Sequence, residues 1–351
     1  MKNRIEHLDG LRGLAILLVL FYHIFSRWTD RLPYGDEFSL FIFKHGWIGV
    51  QLFFLISGFV ILMTLERTQT IKKFLFKRWL RLFPAMLIAS LLIYVTAQFL
   101  SDRPAGDPTL RSLVPGLSFI SSAIWNNYLN ITMPTMEGAF WSLYVEAYFY
   151  VFIAFVYFKL TSNKITECIL FIYLCSFIYC RFLAGEDIQE DPIRKFIEHI
   201  GFLYYGWFAA GMAFYNYMKS KNEKWFIAGL IIAVFSSITL RNIDIGAIIY
   251  AVITSLIFAL SFKIQALRTA LSFKIFTFLG FISYPLYLIH ENASISMIIA
   301  IGRAHPDLPN YLHPLLPIVI VILTAYVITK WLEPKLRIVL NHKFSRFFKS
   351  S

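Results

Sequence analysis

The chain has 351 residues, of which 58% are hydrophobic, 18% aromatic and only 15% charged. A typical soluble domain is about 45–50% apolar and about 25% charged, so this composition excludes an ordinary water-soluble protein and predicts an all-α, polytopic membrane protein. The net charge of +12 does not indicate a nucleic-acid partner, because the basic residues cluster between apolar segments, as membrane topology requires. The three cysteines lie in one apolar run at a spacing that fits no metal site, so no metal ligand is predicted.

Ten apolar segments approach the length that a membrane-spanning helix needs, about 20 mostly apolar residues. They are residues 11–28, 46–65, 83–100, 140–158, 165–183, 199–217, 225–240, 243–262, 275–301 and 313–332. We therefore expect about ten transmembrane helices in a single transmembrane domain over residues 1–351, without an appended soluble domain. The ninth segment contains Pro285, which is expected to kink or break its helix.

The charges of the loops predict the orientation of the chain. Most Lys and Arg residues fall into loops on the same side as the N-terminus, and such loops are cytoplasmic. An even number of spans returns the C-terminus to that side. Both termini are therefore expected in the cytoplasm, and the odd-numbered spans run outward.

The first segment, LDGLRGLAILLVLFYH (residues 8–23), carries two polar residues that a lipid-facing helix does not need. Arg12 and His23 are 11 residues apart, close to three helical turns. They therefore share one helix face and are separated by roughly 16 Å along the axis. Arg12 is expected near the cytoplasmic end, and His23 in the outer half of the membrane.

Two other segments place ionisable residues at the same depth. The fourth segment runs inward and begins FWSLYVEAYFY, with Glu146 near its outer end, and the ninth contains SYPLYLIHEN, with His290 and Glu291. Because buried ionisable groups usually mark function, His23, Glu146 and His290 are predicted to share a buried site. Simpler interpretations stay open: either histidine can be a helix–helix hydrogen-bond residue, and Glu291 can face the outer water.

A basic and aromatic stretch, TIKKFLFKRWLRLFP (residues 70–84), precedes the third segment. One interpretation is an amphipathic segment that lies on anionic lipid. The other is a cytoplasmic phosphate clamp, in which Arg78 and Arg81, neighbours on a helix, bind phosphate with Lys77 beside them.

Taken together, several stretches resemble the membrane acyltransferase family 3, a family of integral-membrane O-acyltransferases. The stretches are LDGLRGLAILLVLFYH, with ten residues between Arg12 and His23, GVQLFFLISGFVI (49–61), KRWLRLFP (77–84), FWSLYVEAYFY (140–150) and SYPLYLIH (283–290). They cover nearly the whole chain in the family's order.

The resemblance implies a ten-helix core in the cytoplasmic membrane of a bacterium. Such a core takes an acyl group, acetyl above all, from cytosolic acyl-CoA and transfers it to a hydroxyl of an extracytoplasmic or lipid-linked acceptor such as a glycan; it holds no permanently bound cofactor. By resemblance, His23 matches the family's essential histidine and Arg12 its paired arginine, and Arg78 and Arg81 match an element associated with acyl-CoA. Many members carry a further periplasmic hydrolase-like domain, which this sequence lacks, so we expect the core to act alone or with a separate periplasmic partner.

The expected mechanism uses His23 as the general base for the acceptor hydroxyl, and a covalent acyl-histidine intermediate stays open as an alternative. Glu146 is expected to orient His23, and Tyr144, Tyr284 or His290 to donate to the developing oxyanion. A different class stays open, a proton-coupled transporter or flippase. Such a protein would use buried His and Glu side chains as a proton relay and would need no acyl-CoA clamp.

Overall fold

The computed structural model describes residues 5–185, 191–239 and 244–344, and every regular element in those residues is helical. This confirms the all-α class. The α-helices are α1 (Glu6–Tyr22), α2 (Phe41–Lys44), α3 (Gly49–Glu66), α4 (Ile71–Thr96), α5 (Leu113–Ser118), α6 (Ser122–Tyr128), α7 (Trp141–Phe155), α8 (Ile165–Ile178), α9 (Pro192–Ile200), α10 (Tyr205–Ser220), α11 (Glu223–Ile238), α12 (Ile245–Leu260), α13 (Gln265–Leu271), α14 (Lys274–Ala304), α15 (Leu315–Val327) and α16 (Glu333–Phe344).

Six helical segments of the described chain are long and apolar enough to cross a membrane. They are Glu6–Arg27, Gly46–Glu66, Ile71–Phe99, Gly138–Leu160, Ile165–Leu183 and Asn310–Phe344. Helices α12 and α13 make a seventh if they count as one span, although they are bent by 106° at their junction. Of the other predicted spans, 199–217 covers the end of α9 and most of α10, 225–240 falls on α11, and 275–301 lies within α14. Residue 240, and residue 243 of the eighth predicted span, lie outside the described residues. The count of ten and the sides of the termini therefore stay predictions.

Two helices differ from what the sequence predicted. Helix α4 begins at Ile71, twelve residues before the predicted span, because the hydroxyl of Thr70 accepts a hydrogen bond from the Lys73 N–H at 3.3 Å and caps the helix. The basic stretch and the apolar span are thus one continuous helix. Helix α14 runs without a break for 31 residues through Pro285, so the predicted break is wrong, whereas the alternative, a kink, stays a prediction.

The described chain packs as two compact units, each assembled from three separate stretches. The described residues of the first unit lie within Met1–Leu11, Val50–Phe76 and Tyr144–Phe273, and those of the second within Arg12–Gly49, Lys77–Leu143 and Lys274–Ser351. The prediction of a single transmembrane domain over residues 1–351 stays a prediction.

In the first unit, α3 and α10 meet backbone to backbone at two glycines. A Cβ atom at Gly58 would lie 2.1 Å from the Phe208 carbonyl oxygen, and one at Gly211 would lie 2.0 Å from the Leu55 carbonyl oxygen. Small residues allow such close helix approach, and the van der Waals packing that results contributes to helix association within a membrane.

We expect Gly58→Ala and Gly211→Ala each to lower the free energy of unfolding by about 1–3 kcal/mol, because the added methyl group pushes two helix backbones apart. Thermal unfolding of the detergent-purified protein measures the effect. Gly185→Ala is the matched control, since nothing lies within 4 Å of its added Cβ atom. Equal unfolding temperatures for all three variants would contradict the close packing of α3 on α10.

In the second unit, the part of α1 that follows Leu11 runs beside α14 in the same direction. A Cβ atom at Gly13 would lie 2.0 Å from the Phe276 carbonyl oxygen, and ten residues further along α1 the chain meets α14 again at His290. The parallel course agrees with the predicted order of spans, in which the first and the ninth both run outward. It brings the end of α1 beside the middle of α14.

Candidate functional site

His23 lies at a change in the helical geometry of the first span. Helix α1 ends at Tyr22, and the chain continues as one wide π-helical turn, His23–Arg27. Such turns are rare and occur frequently at functional sites. The His23 Nδ1 lies 2.9 Å from the Val19 carbonyl oxygen, and the side chain is 13% exposed. The ring is therefore held in place, and a small part of its surface stays exposed.

The ring of His290 lies against that of His23. The His290 Nε2 is 3.1 Å from the His23 Nδ1, and the ring planes are nearly perpendicular, with centroids 4.8 Å apart. His290 is fully buried, and its Nδ1 lies 2.9 Å from the Tyr287 carbonyl oxygen. The predicted convergence of the two histidines is confirmed, whereas their catalytic role stays a prediction.

The hydrogen-bond partners define which ring nitrogens carry protons. A carbonyl oxygen can only accept, so the Nδ1 atom of each neutral histidine carries the hydrogen. The His23 Nδ1–H is then shared between Val19 and the His290 Nε2, which accepts it. In this assignment the His23 Nε2 carries no hydrogen and keeps a lone pair that can accept one. In this arrangement His290 accepts rather than donates, which does not match the oxyanion donor role that the sequence suggested.

The carboxylate that faces this lone pair belongs to Glu291. Its Oε1 lies 3.5 Å from the His23 Nε2, and its Oε2 accepts a hydrogen bond from the Ala139 N–H at 2.9 Å. Glu291 is buried, so the interpretation that it faces the outer water is wrong. The backbone before α7 can approach the carboxylate closely because residue 138 is glycine, where a Cβ atom would lie 3.0 Å from Oε2. A carboxylate at this position stabilises His23 when its Nε2 takes up a proton.

A buried polar network lies directly behind Glu291. Arg103 donates from Nη2 to the Glu137 Oε1 at 3.1 Å, and the two side chains are 1% and 2% exposed. The Asn292 side chain donates to the other Glu137 oxygen and accepts from the Ala105 N–H at 2.9 Å. The network ties the loops before α5 and α7 to α14, next to the residue that contacts His23.

The charge balance of this network rests on Arg103. Burial raises the pKa of the Glu137 carboxyl, and the positive charge of Arg103 lowers it. The net result is a pKa raised to about 8, so the guanidinium offsets only part of the effect of burial. Sequence reasoning missed both residues, because a single charged residue in a loop looks solvent-exposed and neither belongs to a motif.

A second set of hydrogen bonds joins α7 to α14. The Tyr287 hydroxyl donates to the Ala139 carbonyl oxygen at 2.9 Å and accepts from the Ser142 hydroxyl at 2.7 Å. Ala139 thus contacts α14 through both backbone groups, since its N–H donates to Glu291. The Ala139 N–H thus positions the carboxylate, and the Ala139 carbonyl oxygen joins the same backbone segment to α14.

The other residues predicted around His23 have different surroundings. Glu146 belongs to the first unit, where it accepts hydrogen bonds from Ser57 and, at 2.6 Å, from the Tyr150 hydroxyl. Tyr144 is also in the first unit and is buried there. In the second unit, Tyr284 donates its hydroxyl hydrogen to the Leu82 carbonyl oxygen at 3.0 Å.

The predicted donor-binding residues lie on α1 and α4. Arg12 is half-buried on α1. On α4, Arg78 is buried, whereas Lys77 and Arg81 are exposed. Arginine is rarely buried without a specific partner, so lipid contact by itself does not account for Arg78.

Comparisons with known proteins agree on one family. The model of a family described as an acyltransferase domain matches residues 5–332. A putative acetyltransferase of Acidianus two-tailed virus is 28% identical over 225 residues, which cover 64% of this chain and 61% of that protein. The peptidoglycan O-acetyltransferase OatA of Listeria monocytogenes is 28% identical over 162 residues, and a putative O-acetyltransferase of Staphylococcus aureus is 29% identical over 158 residues.

The last two matches cover 43% and 42% of this chain and 24% of each relative. The chain thus matches less than two thirds of the length of these relatives. No solved structure matches the chain significantly.

Proposed function

The chain belongs to the acyltransferase domain family, as its motifs indicate, and on that premise we propose that it is a membrane-embedded O-acyltransferase. It transfers an acyl group, acetyl in the first place, from cytosolic acyl-CoA to a hydroxyl of a carbohydrate acceptor such as a cell-surface glycan. The names of its relatives, which include a peptidoglycan O-acetyltransferase, support the acetyl group and this class of acceptor. The membrane is proposed to be the cytoplasmic membrane of a bacterium.

The observation that carries this proposal is the position of the His23 Nε2, which lies 3.5 Å from the Glu291 carboxylate while the Nδ1 contacts Val19 and His290. In the proposed reaction the Nε2 takes the proton of the acceptor hydroxyl, whose oxygen attacks the thioester carbonyl carbon. The carbon–sulfur bond then breaks, and the leaving thiolate takes the proton from the imidazolium. Glu291 stabilises the imidazolium while it exists, and His290 holds the ring by accepting from Nδ1.

Complementation of a deletion strain tests this function. Mass spectrometry of surface glycans is compared for the deletion strain and for strains complemented with wild type or with His23→Ala. We expect an ester substituent to be lost on deletion and to return only with wild type. Identical glycans in all three strains would contradict a surface-glycan acceptor. Release of CoA from acetyl-CoA by the purified protein then separates an acyltransferase from a transporter or flippase, which releases none.

Donor binding is proposed for Arg12, Lys77, Arg78 and Arg81. We expect the Arg78→Ala, Arg81→Ala double variant to bind acetyl-CoA about tenfold or more weakly, because guanidinium–phosphate hydrogen bonds are charge-assisted. Calorimetry on the purified protein measures the affinity. Lys72→Ala, which removes an exposed charge from the same helix, is the matched control.

Because Arg78 is buried, Arg81→Ala is also measured by itself, so that misfolding is not mistaken for lost binding. If the double variant folds and binds acetyl-CoA with unchanged affinity, residues 70–84 are not a phosphate clamp, and the result favours the interpretation that they lie on anionic lipid.

A further inference from the structure

The first unit contains a cavity of about 660 Å³, and none of the residues that line it belongs to the contacts described around His23. It opens where the N-terminus of α1 meets the C-terminal ends of α3 and α10 and the short helix α13. Sites for small molecules and cofactors typically enclose about 300–1,000 Å³, so the cavity has the size of a ligand site. By the predicted topology, this end of the helices is the cytoplasmic end.

Two guanidinium groups line the cavity. Arg268 is held in place by the Gln265 Oε1, to which it donates at 3.1 and 2.7 Å, and by the Phe262 carbonyl oxygen at 3.2 Å. Three of its five N–H groups are thereby used, and two stay available. Arg67 follows directly after α3, and within the described parts of the chain no hydrogen bond or ion pair engages its guanidinium. Arg268, whose guanidinium is fixed in position, and Arg67, whose guanidinium is available, are together suited to bind phosphate.

The remaining lining suits an aromatic base. The His7 Nε2 is buried in the described structure without a hydrogen-bond partner, which is unusual for a buried ring nitrogen. Met63 and Met218 provide a polarisable apolar wall of the kind that contacts flat rings. Glu6, the one carboxylate in the lining, is an acceptor for an exocyclic amino group. A ligand with phosphates and an amino-substituted ring matches all of these groups.

We infer that this cavity binds the phosphorylated adenosine end of the acyl donor, with its phosphates between Arg67 and Arg268. The inference rests on the proposed function, since acyl-CoA is the donor there, and it concerns the first unit alone. A lipid phosphate carries the same anionic chemistry but no adenine ring. The experiment therefore separates the two sources.

The test measures binding of 3′,5′-ADP and of acetyl-CoA to the purified full-length protein by calorimetry. We expect wild type to bind both ligands. Arg67→Ala and Arg268→Ala are each expected to weaken binding of 3′,5′-ADP about tenfold or more. Lys224→Ala removes an exposed charge of the same unit and is expected to stay within about twofold of wild type. Because the Arg67 side chain is exposed, its variant tests binding without a threat to the fold.

Three outcomes would overturn the inference. The first is that wild type does not bind 3′,5′-ADP, and the second is that both arginine variants bind it with unchanged affinity. The third is that the arginine substitutions weaken only binding to phosphatidylglycerol vesicles, which would identify a lipid phosphate as the ligand. Failure of the proposed function is distinguishable. If 3′,5′-ADP binds as expected but wild type releases no CoA from acetyl-CoA, the result supports the nucleotide site and contradicts the proposed acyl transfer.

Discussion

His23→Ala is expected to lower the rate of acyl transfer by about 10²–10⁴-fold, the usual contribution of general acid–base catalysis. The reason is geometric. The His23 Nδ1–H is hydrogen-bonded to Val19 and His290, so the Nε2 is the ring nitrogen whose lone pair can accept a substrate proton. The variant is expected to fold, because the His23 ring contributes to hydrogen bonds only through Nδ1, and His290 keeps its contact with Tyr287.

The measurement is release of CoA from acetyl-CoA by purified protein in the presence of the acceptor. His305→Ala is the matched control, since His305 is exposed and lies beyond the end of α14. Its activity should equal that of wild type. A His23→Ala variant that keeps normal turnover would show that the base is another group, and the assignment of His23 would then be wrong.

The second large effect is expected at the buried ion pair of Arg103 and Glu137. Removing one member of such a pair leaves the other charged and buried, which costs about 3–5 kcal/mol of folding free energy. Arg103→Ala leaves Glu137 without its counter-charge, and Glu137→Ala leaves Arg103 without its own. We therefore expect both variants to unfold at clearly lower temperature than wild type, and to lose activity because Glu291 is positioned from the same loop.

A double variant distinguishes the pair from its members. In Arg103→Met, Glu137→Leu neither charge is left unpaired, so much of the lost stability is expected to return. Arg303→Ala is the control, because its partner Asp102 forms an exposed ion pair in the same unit, and exposed pairs contribute little to stability. Wild-type unfolding temperatures for Arg103→Ala and Glu137→Ala would contradict a structural role for the buried pair.

The close packing near Ala139 explains why stability and catalysis are linked at this site. Glu137 is anchored by Arg103 and Asn292, and two residues later the Ala139 N–H holds the Glu291 carboxylate. A loosened loop would therefore displace the carboxylate from the His23 Nε2. Electrostatic stabilisation depends on groups that are held in place before the reaction begins.

The amino-acid sequence by itself determined the class of the fold and several elements of the site. Composition and runs of apolar residues are local properties, and they predicted a helical membrane protein. Helix direction and residue counts predicted that His23 and His290 lie at one depth, and in the structure the His290 Nε2 is 3.1 Å from the His23 Nδ1. The family motifs indicated the same chemistry.

The tertiary structure decided which charged groups surround His23, because those contacts join residues more than a hundred positions apart. Sequence reasoning chose Glu146 as the carboxylate for His23, whereas the carboxylate in contact is Glu291. The burial of Arg103 and Glu137 depends on how two loops fold against α14, and a loop charge carries no local sign of that burial. The cavity at Arg67 and Arg268 likewise forms only when four separate segments of the first unit meet, since no one of them encloses space by itself.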